Sequence, residues 1–237
     1  MKITVLVPAY NERENIVELV ARLQKGFHDL HIDADIYFVI QGDFGAVEAL
    51  EELKQSKDFQ IRWSYFPEPM GVGPAFRYGF QHIAPDCTHV LTMDADLNHQ
   101  PEELSKFVSC IHDRSVDIVV GSRYIPGGTM EGMPLWKYML SRLVNDLFSY
   151  TTALKVHDKT SGYRLMTREV VDTVGTISDS HGFEFYLEFL LHAHDAGFII
   201  YEVPIIYKVR TFGRSKMRKF ETLIHYVGVL WRTYFVR

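Results

Sequence analysis

Two aspartates one residue apart are the residues of this sequence that most suggest chemistry. Asp94 and Asp96 end an apolar run that begins at Val90 and is typical of a buried strand. Because residues two apart in a strand point to the same face, both carboxylates are expected to meet just beyond the carboxyl end of that strand. Ligands bind at that edge of an open α/β sheet, and paired carboxylates suit Mg2+ or Mn2+ carrying phosphates.

The same stretch also has a simpler interpretation as a polar turn between a strand and a helix. Pro101 suits the first position of a helix, and Glu102 and Glu103 in the first turn are favoured by the helix dipole. Aspartates are common in such turns. The choice between a cation site and a turn therefore depends on the rest of the chain.

The composition indicates a globular protein without bulk affinity for nucleic acid. The 237 residues suffice for one large α/β domain or two small ones. Lys and Arg number 25 against 30 Asp and Glu, and the net charge of −5 argues against nucleic acid as a partner. Two cysteines are too few for a disulfide framework or a zinc site, which favours a reducing compartment. Neither a signal peptide nor a transmembrane helix is expected.

The spacing of apolar residues predicts strands that alternate with helices through the first half of the chain. The predicted strands are 3–7, 36–40, 61–65, a fourth that carries the aspartates, and 117–120, and the helices reach about 27, 55, 82 and 114. Pro8 is expected to end the first strand. This alternation predicts an α/β fold with a mainly parallel sheet and right-handed crossovers.

The second half of the chain is predicted to be less regular. The pattern indicates a loop at 121–132, helices at 135–154 and 183–196, and strands at 163–166, 199–203 and 205–209. The last stretch, 220–236, is apolar and aromatic and follows a basic cluster. That cluster consists of Lys208, Arg210, Arg214, Lys216, Arg218 and Lys219.

Short motifs along the chain resemble, in order and spacing, those of family 2 glycosyltransferases, which have the GT-A fold. Val-Pro-Ala-Tyr-Asn-Glu at 7–12 resembles the opening of that family, and Asp94-Ala95-Asp96 resembles its metal motif. Further motifs resemble a narrower subgroup, the dolichol-phosphate mannose synthases and other polyprenyl-phosphate glycosyltransferases. They lie at 121–124 (GSRY), 141–142 (SR), 160–164 (TSGYR), 202–205 (EVPI) and 213–216 (GRSK).

The resemblance implies a Rossmann-like GT-A domain over residues 1–216 that includes an acceptor-side helix at 135–154. Residues 217–237 would follow as an amphipathic C-terminal helix. Because the lipid acceptor is embedded in a bilayer, both helices are expected to be interfacial, and the protein is expected to be cytoplasmic and peripheral on the cytoplasmic face of a membrane. The alternative is that both helices pack on the core of the domain.

On the donor side, the resemblance implies a nucleotide-sugar site with a divalent cation, Mg2+ or Mn2+. The implied cation ligands are Asp94, Asp96 and Asn98, and relatives often carry Gln at the third of these positions. The implied nucleotide-sugar contacts are Pro8, Tyr10, Glu12, Gln41, Asp43, Gly71 and Asp94. Gln41 stands where the family usually has an aspartate that helps to bind the base, so the identity of the base stays open. For Glu12 and Gly71, the alternatives are a charge at a helix N-terminus and an ordinary turn.

On the acceptor side, the implied nucleophile is a lipid phosphate, which is ionised near neutral pH because its second pKa is about 6. Its oxygen can attack the anomeric carbon without a strong general base, so the site needs cations to hold two negative partners together. The candidates for catalysis are Asp96, Arg123, Arg210 and Lys216, and those for binding the acceptor phosphate are Arg123, Ser141 and Arg142. A solvated surface charge is the alternative for each basic residue.

These implications lead to one expected activity, the transfer of mannose from GDP-mannose to a polyprenyl or dolichyl phosphate with inversion at the anomeric carbon. The expected partners are the nucleotide sugar, the lipid phosphate and the membrane surface. Two alternatives stay open. One is UDP-glucose or another nucleotide sugar used with a lipid phosphate or a soluble acceptor. The other is a catalytically silent protein that binds nucleotide sugars, which the missing aspartate at position 41 favours.

Overall fold

The computed structural model describes residues 1–42, 45–54, 59–209 and 228–229. The predictions at Asp43, Arg210 and Lys216 lie outside the described residues, and so does the predicted C-terminal helix at 217–237 except for residues 228–229. The strands are β1 (Lys2–Tyr10), β2 (Asp33–Gln41), β3 (Gln60–Phe66), β4 (His89–Thr92), β5 (Ile118–Ser122), β6 (Thr129–Glu131), β7 (Arg164–Thr167), β8 (Ile200–Pro204) and β9 (Ile206–Lys208).

Seven of these strands form one sheet in the order β3-β2-β1-β4-β7-β5-β8. β7 runs antiparallel to both its neighbours, β4 and β5, while the other neighbouring strands are parallel. β6 and β9 pair in parallel outside this sheet. The predicted α/β fold with a mainly parallel sheet is therefore confirmed.

Helices cover both faces of the sheet. They are α1 (Arg13–Asp29), α2 (Ala46–Lys54), α3 (Val72–Phe80), a 3-10 turn (Pro101–Glu103) that leads into α4 (Leu104–Asp113), α5 (Leu135–Thr151), α6 (Arg168–Val174) and α7 (Phe185–Asp195). Val5 of β1 packs in a core cluster with α1, α2 and α4, whereas the next residue, Leu6, packs in a second cluster with α3, α6 and α7. The alternation of side chains along each strand thus divides the core into two layers.

The first strand is longer than predicted, because Pro8 does not end it. β1 continues past Pro8, which pairs with Val39 of β2. The carbonyl of Leu6 faces β4, where it accepts a hydrogen bond from the backbone N of Met93 at 3.4 Å. Pro8 faces the same way, but β4 has already ended at Thr92, so the missing N–H of the proline leaves no sheet hydrogen bond unmade.

Two short elements are absent from the sequence-based prediction. β6 lies within the stretch 121–132 that the pattern assigns to a loop, and it exists as a strand through its pairing with β9. α6 spans seven residues, too few for a clear helical period, and it buries Val170, Val171 and Val174 in the second core cluster.

A close contact between the start of α3 and the loop before α7 depends on glycine. A Cβ atom at Gly73 would lie 1.9 Å from the carbonyl oxygen of Ser180, and the Gly73 N–H donates to the carbonyl of His181 at 3.2 Å. Arg77 fixes the same loop by donating to the carbonyls of Ser178 and Ser180 at 2.7 and 2.8 Å. The two backbones can therefore meet only while residue 73 has no side chain.

We predict opposite effects of adding a methyl group at two helical glycines. Gly73→Ala should lower the free energy of unfolding by about 1–3 kcal/mol, because backbone atoms have to move apart. Gly26→Ala, in α1, should raise it by about 0.5–1 kcal/mol, because the nearest atoms lie at 3.8 Å and alanine reduces the entropy of the unfolded chain. Urea denaturation measures both, and a neutral Gly73→Ala variant would contradict the contact.

Candidate active site

The two aspartates lie in a loop after β4 and not on the strand itself. β4 ends at Thr92, so the expectation that strand alternation aligns Asp94 and Asp96 is wrong. The loop turns at Leu97, whose φ of 59° lies in the left-handed region. The backbone N–H of Asn98 then donates to Asp96 Oδ1 at 3.2 Å. Loop geometry and hydrogen bonds, rather than the pleat of a strand, orient these carboxylates.

Asp94 is held by a side chain that comes from α7. The hydroxyl of Tyr186 donates to Asp94 Oδ1 at 2.9 Å, while Asp94 Oδ2 lies 3.7 Å from Nδ1 of His99. Burial lowers the pKa of His99 to about 4, so this imidazole is neutral near pH 7. The two described groups that contact Asp94 here, the Tyr186 hydroxyl and the His99 imidazole, are therefore uncharged near pH 7.

Asp96 is held by Asn98, whose amide also contacts β9. Asn98 Nδ2 donates to Asp96 Oδ2 and to the hydroxyl of Tyr207, both at 2.7 Å. The other amide atom, Oδ1, is buried and has no hydrogen-bond partner among the described residues. A buried oxygen without a partner is costly unless something else occupies that position.

The residues of this loop fit a hard divalent cation. Asp94 and Asp96 supply carboxylate oxygens, and the unpartnered Asn98 Oδ1 is an amide oxygen of the kind that Mg2+ and Mn2+ accept. Within the described ranges, no group of three or more His, Cys, Asp or Glu side chains could hold a metal ion. A cation here would thus have few protein ligands, as is usual where substrate phosphates complete the coordination.

The predicted donor-binding residues gather at the carboxyl ends of β1 and β2. Tyr10 pairs with Gln41 in the register of β1 and β2, and Pro8 lies two residues before Tyr10 on the same face of β1. Glu12 follows at the start of α1, where it is buried and accepts a hydrogen bond from the Asn15 side chain at 2.7 Å. The alternative of a charge at a helix N-terminus therefore also applies to Glu12.

Gln41 uses its carbonyl oxygen to fix the turn before α3. Its Oε1 accepts hydrogen bonds from the backbone N–H groups of Met70 and Gly71 at 2.8 and 3.1 Å. Gly71 has a φ of 96°, and a Cβ there would lie 2.5 Å from the His181 carbonyl oxygen. The atom that a side chain at Gly71 would approach most closely is thus a backbone oxygen of the protein itself. Because Gln41 Oε1 is used in this turn, the NH2 group is the part of the Gln41 side chain that remains for a ligand.

Arg123 is locked in a buried ion pair that the sequence analysis missed. It follows β5, and its Nε and Nη2 donate to the two carboxylate oxygens of Asp158, each at 2.6 Å. The backbone N–H of Arg123 donates to Asp158 as well, and Nη2 also reaches Thr160 Oγ1 at 2.8 Å. Such a bidentate pair fixes both the position and the plane of the guanidinium.

The charges of this pair depend on one another. Burial alone would raise the pKa of Asp158, but the charge and the hydrogen bonds of Arg123 outweigh it and hold that pKa below its usual value. Burial would likewise lower the pKa of Arg123, and the attraction of Asp158 raises it instead. Both side chains are therefore ionised at neutral pH.

Glu202, from the Glu-Val-Pro-Ile motif, fixes the loop that carries Asp158. Its two carboxylate oxygens accept the backbone N–H groups of His157 and Asp158 at 2.8 and 2.9 Å. The side chain of Asp158 in turn holds Arg123. The motifs at 121–124 and 202–205 are far apart in sequence, and they are therefore connected in the structure by hydrogen bonds to the same loop, at His157 and Asp158.

The two remaining acceptor-side predictions differ in their placement. Ser141, on α5, accepts a hydrogen bond from the hydroxyl of Tyr124 at 2.6 Å, and the ring of Tyr124 lies 5.4 Å from the Arg123 guanidinium. Arg142 is half exposed and contacts Tyr138 and Asp146 of its own helix. The structure thus brings Ser141 towards Arg123, whereas Arg142 matches the surface-charge alternative.

Comparison with known proteins identifies relatives of this architecture. The profile of "Glycosyl transferase family 2" matches residues 4–175. A polyprenol monophosphomannose synthase of Mycolicibacterium smegmatis is 33% identical over 216 residues, which cover 90% of this chain and 80% of that protein. A dolichol-phosphate mannosyltransferase of Pyrococcus furiosus is 28% identical over 235 residues, or 98% of this chain and 63% of that protein. The chain thus spans less than two thirds of the second relative.

A solved structure supports the fold independently of close sequence identity. The mannosyltransferase PcManGT from Pyrobaculum calidifontis, in complex with GDP-Man and Mn2+, superposes with a TM-score of 0.61 at 15% identity. The superposition covers 99% of this chain and 63% of that one. The predicted GT-A architecture is therefore confirmed, while the ligands in that complex belong to that protein.

We predict that breaking the buried pair is far more costly than breaking a surface pair. Asp158→Ala leaves the Arg123 charge buried and unpaired, and it should lower the free energy of unfolding by about 3–5 kcal/mol. Asp172→Ala removes the exposed partner of Arg168, at 2.7 Å, and should cost at most about 1 kcal/mol. Denaturant titration compares the two, and equal effects would contradict the assignment.

The lowered pKa of Asp158 also predicts how the stabilisation by the buried ion pair depends on pH. A carboxylate whose pKa is depressed in the folded state stabilises the protein above its unfolded pKa of about 3.9, and this contribution is lost as the pH falls through the folded value. The stability gap between the native chain and Asp158→Asn should thus narrow below about pH 4.

Proposed function

Because this chain belongs to glycosyl transferase family 2, we propose that it transfers mannose from GDP-mannose to the phosphate of a polyprenyl or dolichyl lipid, with inversion. The observation that carries the proposal is the proximity of two opposite charge environments. The acidic loop with Asp94 and Asp96 suits a cation-bound diphosphate, and the fixed Arg123 suits a second anion. Tyr207 contacts both parts, through Asn98 at 2.7 Å and through the Arg123 guanidinium at 5.3 Å.

On the donor side, Asp94, Asp96 and Asn98 would hold Mg2+ or Mn2+. The cation supplies neutralisation of the negative charge that develops on the leaving diphosphate. The GDP-Man and Mn2+ complex of PcManGT and the unpartnered Asn98 Oδ1 support this assignment. Pro8, Tyr10 and Glu12 would receive the base and ribose. The NH2 group of Gln41, for which the described residues provide no hydrogen-bond acceptor, would donate to an acceptor atom of the base.

On the acceptor side, Arg123 would orient the lipid phosphate. Asp158 and Thr160 occupy Nε and Nη2, which leaves Nη1 without a hydrogen bond to the described residues and able to donate to a phosphate oxygen. Ser141 adds a hydroxyl nearby, and we retain Arg142, Arg210 and Lys216 as further cations. The phosphate oxygen then forms a bond to the anomeric carbon while the bond to the diphosphate breaks, so the configuration inverts.

We further propose that α5 meets the membrane that carries the acceptor. Leu135, Met139, Leu143 and Leu147 recur every four residues and are 72%, 61%, 64% and 49% exposed, although they are apolar. The opposite side of α5 buries Phe148 in the core. No helix within the described ranges is long and apolar enough to cross a bilayer. An outward apolar stripe on the helix that carries Ser141 would place the site at the headgroup level.

The cation assignment predicts that Asp96→Ala lowers kcat/KM for mannosyl transfer by at least about 100-fold, while the circular dichroism spectrum stays native. The reason is that the proposed role of this carboxylate is to bind the cation. Asp113→Ala, at the exposed end of α4, is the matched control and should retain full activity. Transfer by Asp96→Ala at the native rate in saturating Mn2+ would refute the assignment.

The membrane assignment predicts that Leu143→Glu weakens binding to anionic liposomes by about tenfold or more, because burying a leucine contributes about 1.5–3 kcal/mol. Val17→Glu, which changes a residue of α1 that is 48% exposed, should leave liposome binding unchanged. Co-sedimentation measures both variants, and transfer to a short water-soluble polyprenyl phosphate checks that Leu143→Glu is folded. Equal binding by native protein and Leu143→Glu would place α5 away from the bilayer.

A screen of donors and acceptors separates the proposal from its alternatives. GDP-mannose and UDP-glucose are each offered with polyprenyl phosphate, with a soluble phosphate ester and without acceptor, in the presence of Mg2+ or Mn2+. Mannose transfer that requires the lipid phosphate supports the proposal. Transfer from UDP-glucose, or to the soluble ester alone, supports another enzyme of this fold. Nucleotide-sugar binding without turnover under every condition supports a silent binding protein.

A further inference from the structure

We infer that Tyr207 is a positioning residue that serves both halves of the site. Its hydroxyl orients the Asn98 amide for the cation, and its ring supports Arg123 for the acceptor. The inference rests on the proposed function, because it concerns two parts of that same site. They are the loop after β4 that carries Asp94, Asp96 and Asn98, called the cation loop below, and the arginine proposed to bind the acceptor, Arg123. It goes beyond that function because it names the residue that contacts both halves and fixes their positions relative to each other.

The hydroxyl of Tyr207 holds the Asn98 amide, and the Asp96 carboxylate determines which way that amide points. Both hydrogens of Asn98 Nδ2 are engaged, one with Asp96 Oδ2 and one with the Tyr207 hydroxyl, each at 2.7 Å. Rotation of the amide by half a turn would place its oxygen against the Asp96 carboxylate, which is unfavourable. Asn98 Oδ1 is therefore fixed in its buried position, where it has no hydrogen-bond partner among the described residues and is oriented to bind a cation.

The ring of Tyr207 lies against the other half of the site. The Arg123 guanidinium carbon is 5.3 Å from the centroid of this ring, within the range of a cation–π interaction. Asp158 fixes the guanidinium from one side, and the aromatic rings of Tyr124 and Tyr207 border it elsewhere. Removing the ring would thus loosen Arg123 without removing its charge partner.

Tyr207 is itself held in place by the backbone around it. The N–H of Ile206 donates to both carboxylate oxygens of Glu103, at 3.1 and 3.0 Å, and the N–H of Lys208 donates to the carbonyl oxygen of Asn98 at 3.0 Å. β9 is therefore attached on one side of Tyr207 to the 3-10 turn that follows the cation loop, and on the other side to Asn98 of the loop itself. A side chain that is anchored in this way can pre-organise its partners, as supporting hydrogen bonds do around metal ligands.

Two substitutions separate the role of the hydroxyl from that of the ring. Tyr207→Phe removes the hydroxyl and keeps the ring, so the dissociation constant of Mn2+ in the presence of GDP should rise about tenfold. The KM for polyprenyl phosphate should stay within about twofold of the native value, because the ring still supports Arg123. Tyr207→Leu should weaken Mn2+ binding equally and also raise that KM by about threefold or more.

Tyr201 provides matched controls at the opposite edge of the sheet. Its ring lies 4.4 Å from the guanidinium of Arg114, so it is also an aromatic residue over an arginine, and it lies near the start of β8, away from the cation loop. Tyr201→Phe and Tyr201→Leu should change neither the dissociation constant of Mn2+ nor the KM for polyprenyl phosphate.

A double-mutant cycle tests the route through Asn98. If Tyr207 acts on the cation through the Asn98 amide, Tyr207→Phe should have no further effect on Mn2+ binding once Asn98→Ala has removed that amide. Isothermal titration of the full-length protein with Mn2+ and GDP measures all four members of the cycle without any transfer reaction. Additive losses would instead show that the hydroxyl acts elsewhere, and would overturn the inference.

The possible outcomes distinguish this inference from the proposed function. Native Mn2+ affinity in Tyr207→Phe, or an equal loss in Tyr201→Phe, overturns the inference even if mannosyl transfer is demonstrated. Native protein that binds no Mn2+ in the presence of GDP overturns it too. If the Mn2+ titrations behave as expected but no donor and lipid phosphate react, the proposed function fails, while the role of Tyr207 at the cation loop is supported.

Discussion

A guanidinium that water barely reaches must be neutralised by the protein, and the proposed acceptor half of the candidate site depends on that requirement. Arg123 is matched by the fully buried Asp158, and Asp158 is placed by a loop that Glu202 holds through its backbone. A buried ion pair of this kind rarely adds net stability compared with apolar side chains of similar size. Its presence is better explained by orientation, since a bidentate partner leaves one edge of the guanidinium in a fixed direction.

In the proposed donor half, the described contacts to the two carboxylates come from uncharged side chains. Two carboxylates in a loop repel each other and would separate without support. Tyr186 from α7 donates to Asp94, and Asn98 donates to Asp96 while its own amide is fixed from β9. These three hydrogen bonds position the carboxylates without adding a positive charge of their own.

The sequence predicted the fold well, but it did not predict the contacts within the candidate site. Apolar spacing predicted the strands and the parallel sheet because burial on both faces leaves a clear pattern. It failed at Pro8, whose tolerance depends on where β4 ends, and at α6, which is too short to show a period. Asp158 and Tyr207 were missed because a partner 35 or 109 residues away leaves no local signal. Of these two residues, only Asp158 could have been suspected from the sequence, since it lies two residues before the Thr160–Arg164 motif.

The reversed direction of β7 has a consequence for how the pocket can vary. In a wholly parallel sheet, segments that precede strands lie at the edge opposite to the ligand. Because β7 runs backwards between β4 and β5, the segment that enters it, 152–163, is brought to the same edge as the loops that leave those two strands. The edge of the sheet at the carboxyl ends of β4 and β5 therefore carries both the loops that leave these strands and the segment that leads into β7. Insertions within 152–163 can reshape the surroundings of Arg123 while the loop that carries Asp94 and Asp96 keeps its length. With the proposed roles of these residues, the preference for an acceptor can then diverge independently of the preference for a donor.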